Sequence, residues 1–516
     1  MNEYKKHSLL LGGVLALVFF QALPELLQDR IDPYDASLFA ANGGLFLSLV
    51  KELWSFASHP VDWLYSYYNQ YPALAVRRHP PLFGFAEMLI YLFTGVSVLG
   101  AKLTAFVFAV LFATGVYALG FRVWRDALLA GSIAILVMAT PQVVWLATAV
   151  RLDLPSMAFA IWALFHYVKY IRTNNRSSGV YFAILSVLSL YTYQLAFFMI
   201  ASACLHLLYL KRNCLLTEKS VWLVFGILLA CLIPLLAQQI YVAQDNFTAA
   251  FGGEIEEWKR FHPIQDRMSM EFFLYYPRIW LHHYPAQSMG VLVWVMFAVR
   301  RGIRQEEALL LLAALTALAF FTWGRGKDHR LAFYTMIPMA FLAGKGLYDL
   351  AVSLTNRVLA TKANWVALGI VGAAGIAQSN IVPSPNYHLT GMAGPVKAIA
   401  TSVSGARIFY SGPRVGAFVL FVRQYDLNRS ARVFVATVQI NSPEKLADFI
   451  RNNDINVLVW EGEDTRSDSR GYGSFRVELQ RIVAQGGAFV RLGEFPLGYW
   501  KRGELEQSEL FVVVRK

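Results

Sequence analysis

LTAFVFAVLFATGVYALG (103–120), then FRVWRDA, then LLAGSIAILVMATPQVVWLATA (128–149): two runs without a charge flank a short turn carrying Arg122 and Arg125. Each run approaches the roughly 20 apolar residues a helix needs to cross the hydrocarbon of a bilayer. Working outward, further apolar runs fall at 9–27, 154–170, 179–195, 197–210, 221–242, 287–299, 306–323, 331–350 and 364–382. Across the 516 residues 56% are hydrophobic and only 16% charged, and the mean hydropathy is +0.44. Soluble domains carry about a quarter charged residues, so an ordinary cytosolic enzyme, a disordered chain and a coiled coil are excluded. The chain reads as a multi-pass membrane protein.

The net charge of +12 does not imply a nucleic-acid partner, because most of the surplus sits in short loops between apolar runs, where it acts as a topology signal and suits anionic membrane lipids. Cys204, Cys214 and Cys231 form no CxxC pair, so neither a disulfide framework nor a zinc site follows.

One run, 82–99, decides the topology. If it lies along the outer surface rather than spanning, the basic loops Arg122/Arg125, Lys169/Arg172/Arg176, Lys211/Arg212, Arg300/Arg301/Arg304 and Arg357/Lys362 all fall inside. That choice leaves about eleven spans on the charge-bias rule, with the N-terminus in the cytoplasm and the C-terminus outside. The expected fold is an α-helical polytopic membrane protein with a C-terminal extracytoplasmic α/β domain. Residues 1–382 form the transmembrane module, with a first outer loop at 28–102 and a second at 243–286, and residues 383–516 form the soluble domain. In that tail, strands are expected at 407–410, 417–421, 433–438, 457–460 and 510–514, and a polar helix at 442–452.

The residues that suit chemistry gather at the outer boundary. Asp35, in Ile31-Asp-Pro-Tyr-Asp-Ala-Ser-Leu-Phe-Ala, follows the first span, and Asp153, in Arg151-Leu-Asp-Leu-Pro, stands at a later outer turn. Either is also good helix-capping chemistry, and Asp32 is as eligible as Asp35. Arg77, Arg78 and His79 precede the Pro80-Pro81 break, where they suit an anionic head group or interfacial anchoring. The hairpin Trp323-Gly-Arg-Gly-Lys-Asp-His-Arg-Leu-Ala-Phe-Tyr carries Arg325, Lys327, His329 and Arg330 on the outer side, against the positive-inside bias. A phosphate at the membrane surface gives those cations a reason. His282 and His283 are adjacent, so they point apart, and the spacing of a metal site is not met.

Taken in this order, the motifs resemble the GT-C glycosyltransferases of the protein-mannosyltransferase-like group, which includes lipid A aminoarabinose transferases and rhizobial galacturonosyltransferases. The resemblance rests on Asp35-Ala-Ser-Leu-Phe-Ala, His79-Pro80-Pro81-Leu82, Arg122-Val-Trp-Arg-Asp, Arg151-Leu-Asp153 and the late basic hairpin, and it covers roughly residues 8–382. It implies an inverting transfer of a sugar from a polyprenyl-phosphate donor to an acceptor hydroxyl of lipid A, a glycolipid, a polysaccharide or a protein. The expected location is the outer face of a bacterial inner membrane.

By this resemblance Asp35 is the base, although the chain has Tyr34-Asp35 where members often have Asp-Glu. Asp153 orients sugar or acceptor. His79, Arg78, Lys327 and Arg330 hold the donor phosphate, and Tyr34, Tyr193, Gln194 and Tyr334 line the substrate. No cofactor is required, since the clamp is already cationic. The competing readings are a transporter or flippase and a polysaccharide ligase using a diphosphate-linked lipid glycan. The apolar runs are nearly free of charge, whereas transporters place ionisable groups near the bilayer midplane.

Overall fold

The structure, a computed structural model, describes residues 3–32, 34–75, 79–212, 217–241, 269–324, 327–355, 362–381, 387–436, 439–440, 442–462, 472–501 and 504–516. Each apolar run becomes helical, because in lipid a backbone must satisfy its own hydrogen bonds. The helices are α1 (Glu3–Leu26), α6 (Val98–Trp124), α7 (Ala127–Met138), α8 (Pro141–Leu146), α9 (Asp153–Thr173), α10 (Arg176–Thr192), α11 (Phe197–Lys211), α12 (Lys219–Tyr241), α14 (Pro285–Arg301), α15 (Gln305–Trp323), α16 (Ala332–Thr355) and α17 (Ala363–Ile381). Run 128–149 is split between α7 and α8 because Pro141 lacks the N–H that would continue the first helix. Among the described residues six helices are long and apolar enough to cross a membrane by length and composition alone.

Loops at the two ends of the bundle meet in separate clusters. At one end Arg172 pairs with Glu306 at 2.6 Å and donates to the Val123 carbonyl at 2.9 Å. Beside it Arg301 pairs with Glu307, and Trp124 donates to the same carboxylate. These are the loops read as inside. At the other end of α9, a helix of 21 residues and therefore about 30 Å long, the segment after α1 meets the turn before α9 and the hairpin before α16.

The segment 28–102, expected as the first outer loop, is largely helical in its described residues: α2 (Asp35–Lys51), α3 (Leu53–Ser58), α4 (Pro60–Gln70) and α5 (Leu82–Thr94). At 13 residues α5 reaches about 20 Å, short of the roughly 30 Å hydrocarbon core. From Ala36 to Ser48 α2 is mostly buried, packed on α5 and on a helix of the tail. In the second outer loop α13 (Met270–His283) is described, while the acidic patch Glu254/Glu256/Glu257 lies outside the described residues.

The tail builds a six-stranded sheet from β1 (Tyr387–Thr390), β2 (Arg407–Ser411), β3 (Arg432–Val435), β4 (Val457–Glu461), β5 (Phe489–Lys501) and β6 (Glu504–Arg515), in the order β1-β5-β6-β4-β2-β3. β2 runs parallel to both β3 and β4, and the remaining pairs are antiparallel. Helices α18 (Ala393–Ser402), α19 (Val415–Tyr425), α20 (Leu446–Asn452) and α21 (Tyr472–Gly486) accompany it. The expected strand 417–421 is instead the middle of α19 and is buried throughout. A five-residue apolar run has no period of its own, and only the longer amphipathic context separates the two outcomes. The long β5–β6 hairpin was not read from the sequence beyond 510–514. The expected boundary at 382/383 falls among residues outside those described.

Candidate active site

Arg151 organises the site. It follows α8 and a tight turn in which its N–H donates to the Ala149 carbonyl at 2.8 Å, and it is 6% exposed. Its guanidinium lies 5.6 Å from the Trp145 ring. One fork nitrogen donates to Asp32 Oδ2 at 3.0 Å, the other to Asp35 Oδ2 at 2.7 Å, and Nε stands 3.7 Å from Asp153 Oδ2. A planar guanidinium suits this role because its donors point in fixed, divergent directions.

The three carboxylates differ in setting. Asp32 is buried and accepts the Tyr34 N–H at 2.9 Å, an Asx-type turn just ahead of α2 rather than a cap of its first helical N–H groups. Burial lifts its pKa to about 6, Arg151 pulls it down and the neighbouring Asp35 charge pushes it up. Asp35 opens α2 as its first residue and makes no cap hydrogen bond. Its side chain is 51% exposed, and Oδ1 accepts no hydrogen bond from the described residues. Asp153 is the first residue of α9, and its Oδ1 accepts the Tyr334 hydroxyl at 2.9 Å.

The late hairpin closes the cluster. Arg330 Nη1 stands 3.6 Å from Asp35 Oδ2, while its Nε donates to Asp328 Oδ2 at 2.6 Å. Gln142 of α8 donates to the Arg330 carbonyl at 3.1 Å and accepts the Tyr284 hydroxyl, which ties the hairpin to the bundle. Four carboxylates (Asp32, Asp35, Asp153, Asp328) thus face two guanidiniums (Arg151, Arg330). His79 packs edge-on against Phe39 at 5.1 Å and meets Tyr193 at a tilt at 5.7 Å, and Gln194 opens the short turn that follows Tyr193.

Other expectations are placed differently. Lys327 is 2% exposed: it donates to the Phe321 and Thr322 carbonyls at 3.1 and 2.6 Å and lies 3.7 Å from the Phe272 ring. The unpaired carbonyls at the end of α15 and the aromatic faces hold this cation away from a phosphate. Tyr334, expected to line substrate, is buried and orients Asp153 instead. Tyr34 is half-buried and meets Tyr499 of the tail edge-on. Arg78 and Arg325 lie outside the described residues. Among the described residues no group of three or more His, Cys, Asp or Glu side chains is arranged to hold a metal ion.

Arg151, Asp328 and Gln142 were missed as site residues. For Arg151 a signal existed: the expected topology puts it on the same side as the hairpin cations, and the argument that singled them out applies to it equally.

No family model matches the chain, and no curated protein matches it in sequence. Its structure is similar to the crystal structure of ArnT from Cupriavidus metallidurans bound to undecaprenyl phosphate, with a TM-score of 0.60, 14% identity, and 99% of this chain and 98% of that chain covered. The apo state of the same protein gives 0.57 at 14% identity, covering 98% and 97%. Mycobacterial arabinofuranosyltransferase AftD gives 0.50 at 13% identity, covering 100% of this chain and 40% of that one. The chain therefore shares the fold of these membrane proteins: a mostly helical module with several apolar helices, joined to a small C-terminal sheet domain.

Proposed function

We propose that the protein is an inverting glycosyltransferase that moves a sugar from a polyprenyl phosphate to an acceptor hydroxyl at the outer face of the membrane. Asp35 carries the reading. It is a half-exposed carboxylate with one oxygen held by Arg151, the other accepting no hydrogen bond from the described residues, and a partly exposed guanidinium 3.6 Å away. A general base needs this arrangement of fixed orientation with a free lone pair.

In one displacement the acceptor oxygen attacks the anomeric carbon as the bond from that carbon to the phosphate oxygen breaks. The acceptor proton passes to Asp35. The charge stays on the departing polyprenyl phosphate, where Arg330 and His79 are the candidate cations. A single attack inverts the anomeric configuration. Asp153, steadied by Tyr334, orients sugar or acceptor, and Tyr34, Tyr193 and Gln194 are candidates to line the pocket. The fold shared with a protein that binds undecaprenyl phosphate supports a polyprenyl-phosphate carrier.

The basic end of the bundle supports a cytoplasmic N-terminus in a bacterial inner membrane, with 1–382 as the membrane module and 383–516 outside. The test is transfer from a panel of radiolabelled polyprenyl-phosphate sugars to total envelope acceptors by purified protein in lipid. Inverted product from wild type and none from Asp35→Asn is expected. Undiminished transfer by folded Asp35→Asn overturns the role of Asp35. No transfer from any donor moves the reading to a ligase of diphosphate-linked glycan or to a flippase.

A further inference from the structure

We propose that the tail sheet domain is part of the catalytic apparatus: it holds residues 31–38, the segment that carries Asp35, so that the carboxylate is fixed between Arg151 and the tail. The inference rests on the reading of Asp35 as the base.

Three contacts of different kinds carry it. The Leu389 N–H donates to the Ile31 carbonyl at 2.8 Å, and the two residues form an antiparallel bridge, so the backbone just before Asp32 is an extra rung on the sheet edge. The Tyr34 ring meets the Tyr499 ring edge-on, with centroids 5.9 Å apart at 88°. One turn into α2, Ser37 and Leu38 press on Gly416: a β-carbon there would overlap Ser37 Oγ and stand 3.1 Å from Leu38 Cδ2. The absence of a side chain at Gly416 is what lets α19 approach α2 so closely.

The contacts arise from one patch of the tail. Leu389 and Tyr499 are cross-strand partners in the β1–β5 register, so a single rung meets both Ile31 and Tyr34. Arg414, two residues before Gly416, stacks its guanidinium 5.5 Å from the Tyr499 ring and is locked by a buried ion pair to Glu461. Rung, ring and helix start therefore move together. Further along, Arg423 donates to Ser48 at 3.3 Å, Arg429 pairs with Glu52, and Tyr71 donates to Asp426 at 3.1 Å, which fastens the rest of the outer loop to α19 and the turn after it.

Asp35 sits on a half-exposed first turn with Arg151 on only one of its oxygens. Its aim then depends on where the turn is held, and small displacements of a catalytic group cost large factors in rate. Tyr499 and Gly416 are positioning residues in this account. They act through Tyr34 and Ser37 rather than on substrate.

The experiment compares Tyr499→Ala, Tyr499→Phe and Gly416→Val with wild type and Asp35→Asn in the full-length protein in lipid, reading kcat, both KM values and the melting midpoint. Tyr499→Ala and Gly416→Val are expected to lower kcat about 10- to 100-fold, with donor and acceptor KM within about twofold. Tyr499→Phe keeps the edge-on ring and is expected to restore turnover. An unchanged kcat in Tyr499→Ala and Gly416→Val overturns the proposal, and so does a rise confined to acceptor KM, which would make the tail an acceptor-recognition surface. Activity lost only in proportion to melting in every variant, Tyr499→Phe included, makes the contacts structural and also overturns it. Asp35→Asn separates the two ideas: if it stays active the base assignment fails, whereas if it is dead while Tyr499→Ala is normal only the positioning role fails.

Discussion

Two buried arginines sit on either side of the segment that carries Asp35, and they are satisfied in opposite ways. Among the described residues Arg414 in the tail pairs with one carboxylate, Glu461, which is itself buried and also accepts the Tyr410 hydroxyl and the Arg414 N–H. Arg151 in the membrane module faces three carboxylates, one of them half-exposed. A buried pair is a structural device. A guanidinium with more carboxylates than it can neutralise keeps acceptor capacity in reserve, and here that capacity opens toward solvent at Asp35.

The comparison can be broken at either arginine. Asp35→Asn is expected to cost about 10²- to 10⁴-fold in turnover while leaving the melting midpoint close to wild type, because the group is half-exposed. A loss of fold equal to the loss of activity would put the Arg151 cluster in the structural class with Arg414. Glu461→Gln removes the buried carboxylate that Arg414 pairs with, and denaturant unfolding is expected to show about 3–5 kcal/mol of destabilisation. A stable Glu461→Gln protein would show that the tail pair is not a structural lock.

Smaller effects sharpen the picture. Tyr334→Phe removes the hydroxyl that Asp153 accepts and is expected to cost about 1–3 kcal/mol in the activation barrier or in stability. Kinetics and unfolding on one preparation show how the loss divides. Asp32 yields a pH signature. Burial above all raises its carboxyl to about 6, above the ordinary carboxylate range. A group raised on folding contributes stability that is complete below its unfolded pKa and is lost as pH rises through the folded value. Wild type should therefore lose stability relative to Asp32→Asn as pH rises from about 4 through about 6. Parallel stability profiles for the two proteins over that window would contradict the buried setting of Asp32.

The bundle was legible because each apolar run states its own structure: length and hydropathy are local, and a spanning segment has helix as its ordinary solution. Reading 82–99 as surface-lying required weighing the charges of several loops. The reading failed where local pattern was ambiguous, as at 417–421, which is helix. It also failed where a residue's partners lie far along the chain. The surroundings of Lys327, the carbonyls at the end of α15 and the Phe272 ring, were likewise not legible from its hairpin. Arg151 stood in plain sight beside Asp153, yet its hydrogen-bond partners Asp32 and Asp35 are 119 and 116 residues away.

The sequence by itself determined that this is a multi-pass membrane protein with acidic and basic residues gathered at loop boundaries and a polar α/β tail. Periodicity, hydropathy and charge bias are properties of short stretches, and they act before the chain has any tertiary neighbours. The tertiary structure decided which aspartate is open and which is buried, that one arginine gathers three of them, and that the tail grips the loop bearing Asp35. Solvent exposure, ionisation and aim are set by whatever packs against a side chain, and in this protein those partners come from the other end of the chain.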